Sequence, residues 1–454
     1  MSGFLFSAAA FVLALGVLIT VHEFGHYWVA RKAGVKVLRF SIGFGKPLWT
    51  RRRGPDQTEF VLAAIPLGGY VKMLDEREGP VAPEELSRAF NRQPVGKRMA
   101  VVVAGPAFNL LFAVLAYWVL FIHGVPGVKP LLDAPEPDSP AAVAGIEAQD
   151  LVRAVDGKPM TTWEGALLAL LEGTLDRKRL ALDVESVDGR RRTVELDLSA
   201  LEGQLGGEDL LDRLGLHPWR PRLPAVIERV TPDGAAAGAG LRAGDRIVRA
   251  DGQAIADWDA WVKYVQARPE QSIAVQIERA GALMDVKLRP ARVMLDDGVI
   301  GRIGAEVRVP PELGAELRTE TRYGPLAALQ QSLTKTWDMS ILTLRTLGKM
   351  LVGEASLDNI SGPISIAQYA GHSASIGLVS FLGFLAIVSI SLGVLNLLPV
   401  PVLDGGHLMY YLIELFKGSP VSERIEILGQ RVGIALLFAL MSLALFNDFS
   451  RLLR

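Results

Sequence analysis

His22 and His26 lie four residues apart, with a glutamate after the first, in the stretch His22-Glu23-Phe24-Gly25-His26. On a helix, residues four apart share a face, so both imidazoles can address one metal ion. Glu23 is then placed to reach a water on that ion. Two neutral imidazoles and a carboxylate base on one helix form the donor pattern of zinc hydrolases. A bare motif of this kind also arises by chance, and the bland reading is a helix end whose polar groups reach interfacial water. The context weighs against that reading. The motif sits inside an apolar run from Phe4 to about Ala30, where ionisable groups are costly unless paired or liganded.

A catalytic zinc takes three protein ligands and keeps one position open for water. The chain contains no cysteine, which excludes disulfides and thiolate ligands and leaves imidazole, carboxylate or backbone. Asp404 is the acidic residue that directly follows a second apolar run. It lies in Asn396-Leu397-Leu398-Pro399-Val400-Pro401-Val402-Leu403-Asp404-Gly405-Gly406-His407. The prolines break the helix, and the glycine pair is expected to let the backbone turn sharply. Depth supports the pairing. His22 is 18 residues beyond Phe4, about 27 Å at helical rise. Asp404 is 27 residues beyond Gly377, also near the far end of its run. If both runs enter from the same side, the three residues reach similar depth. Two alternatives stay open: Asp404 as a helix-breaking turn residue, and His407 as a competing ligand.

These residues need membrane helices to position them. Half of the 454 residues are hydrophobic and mean hydropathy is +0.28, although 21% are charged. Apolar spans joined to a charged soluble part reconcile these values. Net charge is −1, so no global charge points to nucleic acid. The organisation read from the chain is a transmembrane helix over 1–30 carrying the motif, then a cytoplasmic segment over 31–98 with a membrane-associated β-hairpin. A second transmembrane helix covers 99–123, a third 377–404 with the Leu-Asp-Gly motif, and a fourth 428–447. The first run is read as a retained span, because its start lacks the basic residues of a cleaved signal and it is too long for one. Residues 31–98 carry 14 Lys/Arg against 7 Asp/Glu, which the positive-inside rule places in the cytoplasm. Within them Glu59–Ile65 reads as a strand, Pro66-Leu67-Gly68-Gly69 as a turn and Tyr70–Met73 as the returning strand. The second span opens on Ala104-Gly105-Pro106, whose small residues permit close helix packing. Its Asn109 is open to two readings: a residue facing the first span with a part in catalysis, or a polar residue bonded to a neighbouring helix.

Residues 129–322 differ in style, with 26 Lys/Arg against 33 Asp/Glu and many short β-like runs. They contain a repeat. Ala144-Gly145-Ile146 and Asp150 to Gly157 match Ala239-Gly240-Leu241 and Asp245 to Gly252, and Trp163 matches Trp258, at an offset of 95 residues. Leu214-Gly215-Leu216 corresponds to Ile303-Gly304-Ala305. The pattern resembles PDZ domains of bacterial envelope proteases, which implies two α+β domains over 129–220 and 221–310. The first copy has Ala148-Gln149 where the second has Ala243-Gly244. Either copy is a peptide-tail binder or a spacer. From 323 to 372 apolar residues recur at helical spacing, interrupted by Arg345 and Lys349, and amphipathic surface helices are expected there.

Together these motifs resemble the site-2 proteases: HEFGH in the first span, Gly-Gly-Tyr-Val-Lys-Met in the hairpin, Ala-Gly-Pro-x-x-Asn in the second span, and Asn-Leu-Leu-Pro-Val-Pro-Val-Leu-Asp-Gly-Gly-His in the third. The resemblance covers nearly the whole chain. It implies a bacterial inner-membrane zinc endopeptidase, with one Zn2+ per chain, that cuts transmembrane helices in an envelope stress response. Its partners would be the bilayer and single-span membrane substrates such as an anti-sigma factor already trimmed by another protease. The PDZ-like domains would be periplasmic and act by filtering bulk or binding peptide, with the active site toward the cytoplasm. His22, His26 and Asp404 would be ligands and Glu23 the base, while Asn396, Pro399 and Pro401 would line the substrate cleft. The hairpin, through Gly68, Gly69 and Tyr70, offers an edge to pair with an unwound substrate. A membrane zinc transporter would need polar residues at several depths, and a membrane scaffold would not need Glu23.

Overall fold

The computed structural model describes residues 2–176, 179–198, 209–295, 298–309, 316–353 and 360–453. The boundary at 310, residues 199–208 of the first repeat and residues 354–359 of the amphipathic segment lie outside them. Among the described residues, four helices are long and apolar enough to cross a membrane: Gly3–Lys32, Val95–His123, Leu378–Asn396 and Glu423–Arg451.

Helix α1 (Ser2–Lys32) ends on Arg31 and Lys32, whose charge suits the exposed carbonyls of a helix C-terminus. Strands β1 (Val37–Arg53) and β2 (Thr58–Met73) follow as an antiparallel pair. Their register corrects the simple hairpin expected from sequence. Phe40 lies opposite both Phe60 and Val71, and Ser41 opposite both Val61 and Tyr70. Residues 37–42 therefore run between 59–62 and 69–73, which do not pair with each other. Trp49–Arg53 pairs with the outer side of 58–62. The order is thus 49–53, 58–62, 37–42, 69–73, and the last segment is a free edge. The rings of Tyr27, Phe40 and Phe60 meet with centroids 5.6–5.8 Å apart and fasten this sheet to α1. Each such pair contributes about 0.5–1.5 kcal/mol beyond area burial.

Helix α2 (Val95–His123) crosses α1 at backbone distance. A Cβ on Gly25 would overlap the carbonyl oxygen of Ala104. Beyond α2, the strand Val125–Val128 pairs with Arg318–Thr321, so a two-stranded ribbon closes the base of the inserted region.

The repeat appears as two units of one topology. The first has the sheet order β4-β3-β5-β6, with β3 (Leu151–Val155), β4 (Lys158–Pro159), β5 (Arg179–Glu185) and β6 (Arg191–Asp197), and carries helix α3 (Trp163–Asp176). The second has β8-β7-β9-β10, with β7 (Arg246–Ala250), β8 (Gln253–Ala254), β9 (Ile273–Arg279) and β10 (Ala282–Leu288), and carries α4 (Trp258–Gln266). Each has its own apolar core. Asp150 and Asp245 are both buried and both bonded to an arginine, Arg192 and Arg279. Gln149 adopts φ 68° where the second copy has Gly244 at φ 89°. The sequence difference there leaves the left-handed turn intact.

Helix α5 (Pro325–Leu351) buries Ala328, Ser332 and Thr336 and exposes Leu326, Leu333 and Trp337. It packs on α2 and, less extensively, on α7. Helix α6 (Pro363–Ile376) packs on α1. Helix α7 (Leu378–Asn396) packs along α2 through Ala386, Ile390 and Val394. A turn then leads into α8 (Asp404–Lys417), and α9 (Glu423–Leu453) completes the fold. Asp448 of α9 accepts hydrogens from Gly362 N (3.0 Å) and Ile364 N (2.8 Å) at the start of α6.

Candidate metal centre

The site is built where α1, α2 and α8 meet. His22 and His26 project from one face of α1, as their spacing requires. Asp404 is the first residue of α8. Its approach depends on the preceding turn, where Val402 takes φ 98°, a strained value for a β-branched residue. Gly405 and Gly406 do not supply the sharp turn expected of them. They are helical, and their role is close approach: a Cβ on Gly405 would overlap the Leu398 carbonyl oxygen, and one on Gly406 would lie 2.5 Å from that of Val400.

Three donor atoms converge. His22 Nε2 is 3.2 Å from His26 Nε2 and 3.2 Å from Asp404 Oδ2, and His26 Nε2 is 3.5 Å from Asp404 Oδ2. A tetrahedral ion with bonds of ~2.0–2.1 Å holds its ligand atoms ~3.3–3.4 Å apart, so the triangle has the size such an ion needs. The hydrogen bonding points the same way. His26 Nδ1 lies 2.8 Å from the carbonyl oxygen of Val101. That oxygen only accepts, so Nδ1 carries the proton and Nε2 presents a lone pair. This lone pair faces Asp404 Oδ2, another acceptor, which has no hydrogen-bond partner although buried. A carboxylate oxygen without a hydrogen-bond partner beside two imidazole nitrogens is a donor set that a cation would satisfy. Among the described residues this is the cluster of three His, Asp or Glu side chains close enough to hold a metal.

Helix α2 closes the site from behind. A Cβ on Gly105 would overlap His26 Nε2 and lie 2.8 Å from His22 Cε1. Sequence reasoning assigns no individual role to Gly105 or to the Val101 carbonyl. The one signal for Gly105 is the small-residue run opening the second span, which by itself indicates packing alone. Asn109 does face the first span: its Nδ2 is 3.2 Å from His22 Nδ1.

A cavity of about 1030 Å³ opens from these residues. Glu23, Gly69, Tyr70 and Val71 line it together with the three donors, so the free sheet edge borders the site. A Cβ on Gly69 would come 2.8 Å from Ile19 Cγ2 and 3.0 Å from Glu23 Cγ, so glycine lets the strand lie against α1 at the motif. Gly68 turns with φ 138° beneath the Phe44 ring and is not among the lining residues. His407 lines the cavity outside the donor triangle, one turn beyond Asp404. Asn396, Pro399 and Pro401 lie at the end of α7 and on the turn into α8, beside this cavity's lining residues and not among them. Helix α9 occupies one side of this turn. A Cβ on Gly433 would overlap the Pro401 carbonyl oxygen, and one on Gly429 would overlap the Tyr410 hydroxyl. Residues at a helix break are placed by whatever packs over it, which local sequence does not reveal.

Comparison with known proteins gives a match to the Peptidase family M50 model over residues 10–440. The Regulator of sigma-E protease RseP of Escherichia coli (strain K12) is 48% identical over 452 residues, covering all of both chains. Protease RseP of Yersinia pestis is 47% identical over 455 residues, again with full coverage of both. Among solved structures, the PDZ domain of an SdrC-like protein from Listeria innocua aligns with 19% of this chain and 96% of its own, at 19% identity and a TM-score of 0.17.

Proposed function

The chain belongs to peptidase family M50, and from that premise we propose that it is an intramembrane zinc endopeptidase of the site-2 type acting in a sigma-E stress pathway. Its substrates are single-span membrane proteins such as a pre-trimmed anti-sigma factor, cut within the membrane segment. The observation that carries the reading is the triangle of His22, His26 and Asp404 atoms at 3.2–3.5 Å with Glu23 on the same helix.

His22, His26 and Asp404 would hold one Zn2+, with two neutral donors and one anion. The bound metal supplies a Lewis acid that acidifies water and polarises a carbonyl. Glu23 does the proton work. Its carboxylate takes a proton from the attacking water and returns it to the leaving amine, so one water is consumed and an acid and an amine result. Gly105 keeps the space behind the imidazoles free. A peptide bond in a helix is shielded by its own hydrogen bonds, so the substrate must first be opened. The edge at 69–73 offers N–H and C=O groups to an extended segment lying in the cavity. The Gly69 position lets that segment approach Glu23 without a side chain intervening.

The sidedness follows the charge rule: residues 31–98 cytoplasmic, the PDZ-like units periplasmic. Closed at their base by the ribbon of 125–128 and 318–321, those units stand over the outer end of α2. There they would exclude substrates with bulky outer domains, and binding of a trimmed C-terminus is the second role considered for them. The test is metal analysis of the purified full-length protein alongside cleavage of a model single-span substrate. One equivalent of zinc and chelator-sensitive cleavage are expected, and cleavage by metal-free protein would overturn the reading.

A further inference from the structure

The two histidines are oriented by different kinds of partner. His26 Nδ1 faces a backbone carbonyl, which fixes its proton permanently on Nδ1. His22 Nδ1 faces the side-chain amide of Asn109, whose two ends differ: one donates and the other accepts. Asn109 is fully buried on α2, and its backbone oxygen accepts from Ser389 Oγ of α7 at 2.8 Å.

With Nδ2 toward His22, the amide donates to Nδ1, and the imidazole proton must sit on Nε2. There it points at His26 Nε2, 3.2 Å away, and leaves Asp404 Oδ2, also 3.2 Å from His22 Nε2, without a hydrogen-bond partner. That proton fills the space a cation would take. The other end of the amide, Oδ1, is then buried without any partner. A ligand to a metal needs the opposite tautomer, with Nε2 as a lone pair and Nδ1 protonated. A half-turn of the amide presents Oδ1 to that proton.

We propose that Asn109 is a positioning residue for the metal centre, its side-chain oxygen accepting from His22 Nδ1 so that Nε2 is offered to the ion. This rests on the reading of the site given above. The same amide, turned, closes the pocket by hydrogen bonds when no cation is held. No hydrophobic residue of similar size can do either. Partners behind a ligating histidine typically change metal affinity by about 10–100-fold.

The test uses purified full-length protein and variants Asn109→Asp and Asn109→Leu, with zinc affinity measured by chelator competition and the absorption spectrum of the cobalt-substituted protein as a second readout. Aspartate only accepts, so Asn109→Asp is expected to hold zinc at least as tightly as the parent, with its cobalt spectrum unchanged. Asn109→Leu is expected to bind about 10–100-fold more weakly. Equal affinity in Asn109→Leu, or a tenfold loss in Asn109→Asp, would overturn the proposal. If the leucine variant does not fold, the aspartate variant decides alone, because a site relying on the amide donor would lose affinity with it. Failure of the parent protein to bind zinc would instead overturn the assignment of the metal centre itself.

Discussion

Gly105 and His26 approach so closely that the first Cβ atom of any side chain at 105 would overlap the imidazole Nε2. The spacing is set by α1 and α2 crossing at Gly25 and Ala104, so neither helix can retreat without loosening the other. Gly105→Ala is therefore expected to lower zinc occupancy and cleavage together, by tenfold or more, while the protein remains folded and membrane-inserted. Metal content and turnover of the same preparation check this. Full occupancy with normal turnover would mean that the imidazoles lie elsewhere.

Asp404 contributes the only anionic donor of the triangle. Asp404→Asn is expected to weaken both zinc binding and activity, because a neutral amide is a poorer ligand. If zinc stays fully bound and activity is normal, another residue holds the ion, and His407 is the first to test. His407→Ala should leave zinc content unchanged.

The sheet register sharpens a test of substrate pairing. Val61 pairs on both sides, with Ser41 and with Thr50, so proline there would break the sheet and say nothing about substrate. Tyr70 and Val71 are on the free edge and point successive N–H groups in opposite directions. Proline at one of them removes an internal bond, and at the other only an N–H offered to the cavity. One of the two variants should lose turnover while keeping zinc and the thermal stability of the parent. Unchanged cleavage in both would leave the edge without a role in substrate binding.

Buried Asp245 is subject to two opposing effects. Burial raises its carboxyl pKa, but the Arg279 guanidinium at 2.7 Å and the backbone N–H of Arg242 outweigh this and hold it below the ordinary value. A depressed folded pKa means that its stabilising contribution is present above the unfolded value of about 3.9 and is lost as pH falls through the folded one. Asp245→Asn should cost the second unit about 2 kcal/mol at neutral pH and flatten its acid sensitivity below pH ~4. Protease susceptibility of this unit in the full chain, followed against pH, would show it. An unchanged acid profile would contradict the assignment.

The ribbon of 125–128 with 318–321 makes a clean excision possible. Replacing 130–316 by a short flexible linker leaves the ribbon as a hairpin. If the two repeated units act as a filter, the shortened protein should cleave an untrimmed substrate that the full chain rejects. Continued rejection by a folded, zinc-loaded variant would discard the filter, and slowed cleavage of a trimmed substrate would favour binding of its C-terminus.

Much of the site is legible in the amino-acid sequence. The four-residue spacing of His22 and His26 needs only helical geometry, and Asp404 answers the need for an anion at matching depth. The tandem units are visible as an offset of 95 residues. What stays hidden is non-local. The segment 37–42 inserts between two strands whose own sequence looks like a hairpin, because pairing partners twenty residues apart leave no local signal. The turn that carries Pro399 and Pro401 is packed on one side by α9, where Gly433 approaches the Pro401 carbonyl, a contact with no signal in the local sequence. Gly405 and Gly406 have the sequence of a conformational hinge and serve as close-approach points. Glycine has two uses, and sequence does not tell them apart.

If Glu23 moves protons and does not hold the ion, its amide variant keeps zinc and loses cleavage. The direct measurement is zinc content and cleavage of Glu23→Gln, made on one preparation. We expect about one zinc per chain, as in the parent, and cleavage reduced by at least ~10²-fold, the order of a lost general base. Cleavage near the parent rate with zinc bound would contradict the hydrolytic mechanism.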